Sequence, residues 1–211
     1  MQEKKVDLLN DVAAYYAEKL AQHGQTPQGV DWNGHESQTI RFEQLCKLIV
    51  TDSNFSLNDL GCGYGAFYHF LLSRYQEFLY IGIDVSREMI QAATRHCQRG
   101  SQVRFVISSH PDQNADYGMA SGIFNVRLEK TNAEWSDYIH SVLDDLHRTS
   151  RVGFAFNCLT SYSDTDKKRD YLYYADPCVL FDRCKRLYSK NVSLLHDYGL
   201  YEFTIIVKKI L

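Results

Sequence analysis

One short run, Asp59-Leu60-Gly61-Cys62-Gly63-Tyr64-Gly65, carries the clearest chemical signal in the chain. Glycines at alternate positions permit a tight turn with no Cβ in the way, so a ligand can rest against bare backbone. About 20 residues on, Ile81-Gly82-Ile83 ends in Asp84, at the separation expected for the second acid of a nucleotide crevice. An acid at a strand tip accepts hydrogen bonds from both hydroxyls of a ribose. Val85 stands beside it, and Met89 on the following helix offers an apolar wall to an adenine ring.

These groups meet only if strands and helices alternate around them. Phe55–Leu60 predicts a strand, 61–65 a turn, and Ala66–Tyr75 a helix. Leu79–Ile83 is the next strand and Ser86 to about Gln98 the next helix. Val103–Ile107 and Tyr117–Ala120 are the third and fourth strands. Ala133–Arg148 reads as a helix, and Val152–Phe156 as a nearly all-apolar strand buried on both faces. Alternation of this kind implies a mainly parallel, doubly wound sheet with helices on both sides. Val192–Leu195 and Tyr201–Val207 are close enough for a hairpin, making seven strands with an antiparallel finish. Upstream, Val6, Leu9, Val12, Ala13, Tyr16 and Leu20 repeat at helical spacing and end at His23-Gly24. A second helix is expected from about Ser37 to Val50, with Ile40, Leu45, Leu48 and Ile49 inward. Residues 159–177 form a long irregular connection, a class of loop that is usually functional.

With 211 residues the chain suits one domain, 1–211, and is short for two. A net charge of −3 argues against a nucleic-acid partner, which needs a basic stripe. The one basic run, Lys167-Lys168-Arg169, is flanked by Asp164, Asp166 and Asp170 and reads as a solvated loop. The opening residues are charged throughout, unlike a signal peptide or membrane span, so no membrane partner and a cytoplasmic location are expected. Six cysteines without a CxxC pair read as small buried hydrophobes, and the histidines have no HxH or HExxH spacing, so no metal is expected.

The glycine turn after the first strand, the acid ending the second and the terminal hairpin together resemble the class I S-adenosylmethionine-dependent methyltransferase family, of the small-molecule type. The resemblance spans about 37–211, the Rossmann-like core. It implies that Asp59, Gly61, Cys62 and Gly63 meet the methionine part of S-adenosylmethionine and Asp84 its ribose. Val85 and Met89 would flank the adenine, and Ser121-Gly122 would lie where the fourth strand meets the methionine. Residues 1–36 would form a helical lid. NAD binding uses a similar constellation, but its phosphate turn is GxGxxG whereas this chain reads GCGYG-A-F, and a tail hairpin is not typical of dehydrogenases. Two departures stand out. Where many members carry an adenine-binding acid after the third strand, this chain has Ser108-Ser109-His110, and a serine hydroxyl or backbone carbonyl would have to substitute. In place of an acidic or Asn-Pro-Pro-Tyr motif after the fourth strand it has Ala120–Asn125, which disfavours nucleobase amines and glutamine amides as acceptors.

Several residues have two readings each. Asn125 either orients a substrate heteroatom beside the methyl group or caps the local turn, and Asn157 has the same ambiguity. Arg41 either forks onto the methionine carboxylate or makes a surface salt bridge. Tyr15, Tyr16, Trp32, His35 and Gln38 are lid residues or packing. Tyr162, Tyr171, Tyr173 and Tyr174 either wall the substrate or pack the loop. Aromatic faces around a sulfonium contribute roughly 0.5–2 kcal/mol each. Asn125 and Tyr174 are the catalytic candidates, and His23, His35, His110 and His196 the possible bases. Methyl transfer to a small molecule is the leading expectation for a monomer or homodimer. Its rivals are chemistry on the cofactor's own methionine, such as azetidine-2-carboxylate formation with loss of methylthioadenosine, and a non-catalytic cofactor-binding protein.

Overall fold

The computed structural model describes residues 2–97 and 102–209, with side chains from Leu9 onward, so the Val6 side chain, Gln98 and Leu211 lie outside the described residues. The strands are β1 (Ser53–Leu60), β2 (Gln76–Asp84), β3 (Val103–Ile107), β4 (Ala115–Ala120), β5 (Ser150–Leu159), β6 (Asn191–Leu195) and β7 (Glu202–Lys208). The helices are α1 (Gln2–His23), α2 (His35–Cys46), α3 (Ala66–Leu72), α4 (Arg87–His96), α5 (Asn132–Thr149) and α6 (Pro177–Leu187).

The strands form one sheet in the order β3-β2-β1-β4-β5-β7-β6. β1 to β5 are parallel, and β7 runs antiparallel to both β5 and β6. The seven-stranded, mainly parallel sheet and its terminal hairpin match the sequence expectation. Strand order reverses between β1 and β4, which opens a crevice at their carboxyl ends. Register places Asp59 beside Gly82 and Leu60 beside Ala120, so the tips of β1, β2 and β4 share one edge.

Each face of the sheet has its own core. Leu60, Ile81, Ile83, Phe154 and Phe156 pack on Trp135, Ile139, Val142, Leu143 and Leu146 of α5, with Leu180 and Cys184 of α6. Leu57, Tyr80, Tyr117, Met119 and Ala155 pack on Phe42 and Leu45 of α2 and on Phe67, Tyr68 and Leu71 of α3. A capping box fixes the start of α5: Thr131 accepts from the Glu134 backbone while the Glu134 carboxylate reaches back to Thr131 N.

Some boundaries differ from expectation. α2 ends at Cys46, yet Leu48 beyond it is still buried, because the chain turns inward before β1. α3 stops at Leu72, not Tyr75. α6 was not anticipated, although its start is written in Asp176-Pro177: the carboxylate caps two backbone N–H groups, and proline occupies the first turn where its missing N–H costs nothing. Five cysteines are buried as expected, whereas Cys178 on α6 is exposed. Among the described residues no helix is long and apolar enough to cross a membrane.

Candidate active site

The crevice holds a cleft of about 910 Å³ including its open mouth. Its floor is the turn after β1. Gly61 N and Cys62 N donate to Ile83 O at 2.7 and 3.0 Å, which ties the turn to the tip of β2. Gly63 has φ +55°, and a Cβ there would sit 3.1 Å from Val30 Cγ1, so the position takes glycine on both counts. Gly63 N donates to Asp84 Oδ2 at 3.0 Å, and Ser86 N donates to Oδ1 at 2.9 Å. Each Asp84 oxygen thus has a backbone donor and keeps lone-pair capacity for a ligand. Burial raises its pKa, against the lowering effect of the Ser86, Gly63 and Val85 N–H groups.

Asp59 lies deeper, 2% exposed, and accepts the Tyr80 hydroxyl proton. Burial pushes its carboxyl up to about 7; the Tyr80 bond opposes this and the Asp84 charge adds to it. Cys62, Val85, Met89 and Ser121 line the cleft as the sequence implies, and so do Tyr16 and Trp32. Ser108 lines it as well, with its own hydroxyl donating to His110 O at 2.7 Å.

At the β4 tip Gly122 has φ +75°, and its N donates to Asn157 Oδ1 at 2.7 Å. Asn157 also bonds Ser121 Oγ at 3.3 Å and is fully buried, so it supports the rim from below and does not face the cleft. Trp32 lies over Gly122, where a Cβ would come within 2.5 Å of Trp32 Cζ2. The Arg41 guanidinium stacks 3.8 Å from the Trp32 ring centre. Arg41 Nε donates to Glu202 Oε2 at 2.6 Å, and this pair is buried, which replaces the surface salt bridge considered from sequence. Arg41 Nη1 is buried with no partner. Gln38, one turn before it on α2, lines the cleft, whereas Arg41 itself is not among the lining residues.

Asn125 is committed to structure. Its Oδ1 accepts from Leu159 N at 3.0 Å, its Nδ2 donates to Glu202 Oε1 at 3.2 Å, and its carbonyl accepts from Tyr173 N at 2.7 Å. The turn-capping reading therefore describes it, and it does not line the cleft. The tyrosine-dense loop does not wall the cleft either. Tyr162 is 68% exposed beside His196, Tyr173 packs against the α5 core, and the Tyr174 hydroxyl accepts from Arg169 N at 2.9 Å. Tyr171 meets Tyr15 at the surface, 6.2 Å between ring centres. The loop is pinned by bridges from Thr160 to Ala175 and from Leu172 to Val126, and none of its tyrosines lines the cleft. His23, His35, His110 and His196 are exposed, and no described histidine lines the cleft.

The structure brings in residues that the sequence reading did not single out. Tyr138 enters from α5, Val30 from the segment before α2, and Ile123 and Tyr64 from the two β-tip turns. Tyr138 was legible only as one more ring on an amphipathic helix. Glu202 opens the last strand as a buried acid, and a charge directly before the mostly apolar run Phe203–Val207 is the signal that marks it.

The described lining holds two carboxylates, Asp59 and Asp84, and no Arg, Lys or His. A pyrophosphate would find no countercharge there. S-adenosylmethionine carries a sulfonium and an ammonium against one carboxylate, so its net positive charge suits this lining. The bare glycine turn and the unpartnered Arg41 Nη1 nearby match its remaining groups, and the residues present fit the molecule.

Comparison with known proteins agrees. Residues 58–153 match a family model described as a methyltransferase domain. The chain is 58% identical over 163 residues to "Putative methyltransferase Rv1506c" of Mycobacterium tuberculosis, covering 77% of this chain and 98% of that one. Among solved structures, a DhpI–SAM–HEP complex has a TM-score of 0.65 at 15% identity, covering 96% of this chain and 98% of its own. The N-methyltransferase NodS of Bradyrhizobium japonicum WM9, in complex with S-adenosyl-L-homocysteine, has a TM-score of 0.65 at 15% identity, covering 93% and 97%. At that identity these two establish the fold, and the mycobacterial relative establishes the kinship. The chain belongs to the class I methyltransferase family and is an S-adenosylmethionine-dependent methyltransferase.

Proposed function

We propose that the cleft binds S-adenosylmethionine along the β1–β2–β4 edge and that the methyl group passes to a small-molecule acceptor admitted beside Tyr16 and Trp32. When bound, the cofactor supplies an electrophilic methyl group on a sulfonium. Asp84 takes the ribose hydroxyls on its free lone pairs, and Val85, Met89 and Ser108 border the adenine. Asp59, the Gly61–Gly63 backbone and Ser121-Gly122 receive the methionine part. Arg41 offers its unpartnered Nη1 to the methionine carboxylate. Leu9, Val12, Tyr16, Val30 and Trp32 all reach the cleft from the first 36 residues, which supports a lid role for that segment.

The observation that carries this reading is the charge of the lining: two acids and no base or cation. A net charge of −3 also argues against a nucleic-acid acceptor, which calls for a basic stripe. The protein's own contribution to rate is then alignment of the acceptor with the methyl carbon and exclusion of water.

Calorimetric titration of the protein with S-adenosylhomocysteine tests the cofactor site. Saturable one-to-one binding, weakened in Asp84→Ala, is expected. Equal affinity in that variant would remove the ribose assignment.

A further inference from the structure

We infer that Tyr80 is a positioning residue for the cofactor's ammonium group: from inside the core it holds one oxygen of Asp59 and leaves the other to the cleft. This rests on the proposed reading that Asp59 receives the methionine part, and it adds a residue that never touches the ligand.

The sheet register brings the two side chains together. Leu57 pairs with Tyr80 and Asp59 with Gly82, so Tyr80 and Gly82 share the face of β2 that flanks Asp59. Gly82 puts no side chain beside Asp59, and Phe105 and Cys62 close over the gap. A Cβ there would sit 2.5 Å from Phe105 Cδ1 and 3.0 Å from Cys62 Sγ. Tyr80 is fully buried, its ring braced by Tyr68 at 5.1 Å and Phe105 at 6.0 Å between centres. A phenylalanine would fill that space in an apolar core. The hydroxyl instead donates to Asp59 Oδ2, its one partner among the described residues. Asp59 lines the cleft, and its Oδ1 takes no hydrogen bond from any described residue. The acid is thus bonded on the core side and open on the ligand side.

A donor on one oxygen does two things. It fixes the rotation of the carboxylate, so that Oδ1 is set before a ligand arrives. It also favours the charged form. Burial works against that charge, the Tyr80 bond supports it, and the like charge of Asp84 on β2 opposes it again. The other titratable groups close by are Cys62 in the turn and, beside Tyr80, Cys97 at the end of α4. Burial holds both thiols and the Tyr80 phenol above their ordinary values, so all three stay protonated near neutral pH. No described cation acts on Asp59, and the ligand's ammonium is the charge that completes its surroundings.

The test compares two ligands by calorimetry between about pH 5.5 and 9. S-adenosylhomocysteine carries the amino-acid part, whereas methylthioadenosine shares its nucleoside and lacks both ammonium and carboxylate. In Tyr80→Phe, which keeps the ring, the midpoint of the S-adenosylhomocysteine affinity profile should rise by about one to two pH units, the equivalent of one hydrogen bond to a charged group. Near pH 7 that is a loss of roughly 5–50-fold, while methylthioadenosine affinity stays within about threefold. Replacing Tyr80 by 3-fluorotyrosine, a stronger donor of nearly the same shape, should move the midpoint down, and it serves alone if Tyr80→Phe does not fold. An unmoved midpoint, or equal losses for the two ligands, would overturn the inference, because the hydroxyl would then only hold the core together. Wild-type protein that binds S-adenosylhomocysteine no more tightly than methylthioadenosine would instead remove the reading beneath it, that Asp59 receives the methionine part.

Discussion

Arg41 on α2 and Glu202 at the start of β7 are 161 positions apart and form a buried ion pair, Nε to Oε2 at 2.6 Å. Glu202 also accepts from Asn125, and Arg41 lies against Trp32, which rests on Gly122. This rim of the cleft is therefore a closed ring of contacts joining the N-terminal segment, the β4 turn and the last strand. Breaking one partner of such a pair leaves an uncompensated buried charge. Glu202→Gln should lower unfolding free energy by about 3–5 kcal/mol, measured by urea denaturation. A loss under about 1 kcal/mol, the range of exposed pairs, would mean that the pair is solvated.

Asp59 sets a pH dependence. Its raised pKa, about 7, means that the folded apo protein holds this proton more tightly than the unfolded chain does. The resulting stability is present at acid pH and is lost as pH rises through about 7. Cofactor binding should run the other way, because the methionine ammonium needs the ionised acid. S-adenosylhomocysteine affinity should fall by up to roughly tenfold per pH unit below that value, and Asp59→Asn should flatten the profile.

Asp84→Ala should weaken S-adenosylhomocysteine binding by about 1.5–3 kcal/mol, the cost of lost hydrogen bonds to a charged group. Calorimetry measures this directly.

Gly122→Ala places a methyl group within 2.5 Å of Trp32 at φ +75°. Trp32 must move, and the left-handed backbone adds roughly 1–2 kcal/mol of strain. A lowered melting temperature with a shifted tryptophan emission is expected. Unchanged emission would contradict the contact.

The loop tyrosines provide a negative control. Because Tyr162 is exposed and Tyr174 is tied to Arg169 N, Tyr162→Ala and Tyr174→Phe should leave cofactor affinity and turnover within about threefold. A tenfold loss in either would return that loop to the site.

Local signals were enough for the cofactor edge. The glycine turn and Asp84 are separated by one β–α–β step, so short-range pattern alone brings them together, and the structure does so through Gly63 N and Asp84 Oδ2. The rim at the β4 turn was less legible because it is assembled from residues remote in sequence. Asn125 and Arg41 both bond Glu202, Asn157 bonds the Ser121-Gly122 turn, and nothing in a one-dimensional reading of Asn125 tells a spent amide from a free one. The 159–177 loop misled for a related reason: tyrosine density says that rings are present, and loop pairing decides which way they point. Tyr138 was hidden by the opposite effect, a site residue on a helix whose pattern spells core.

The most direct test of the central claim is to incubate the protein with S-adenosylmethionine and a metabolite extract split into small-molecule and macromolecular fractions, following adenosyl products by mass spectrometry. S-adenosylhomocysteine is expected only with the small-molecule fraction, matched by one species that gains a methyl mass. Product with the macromolecular fraction alone, or methylthioadenosine released without any extract, would contradict it.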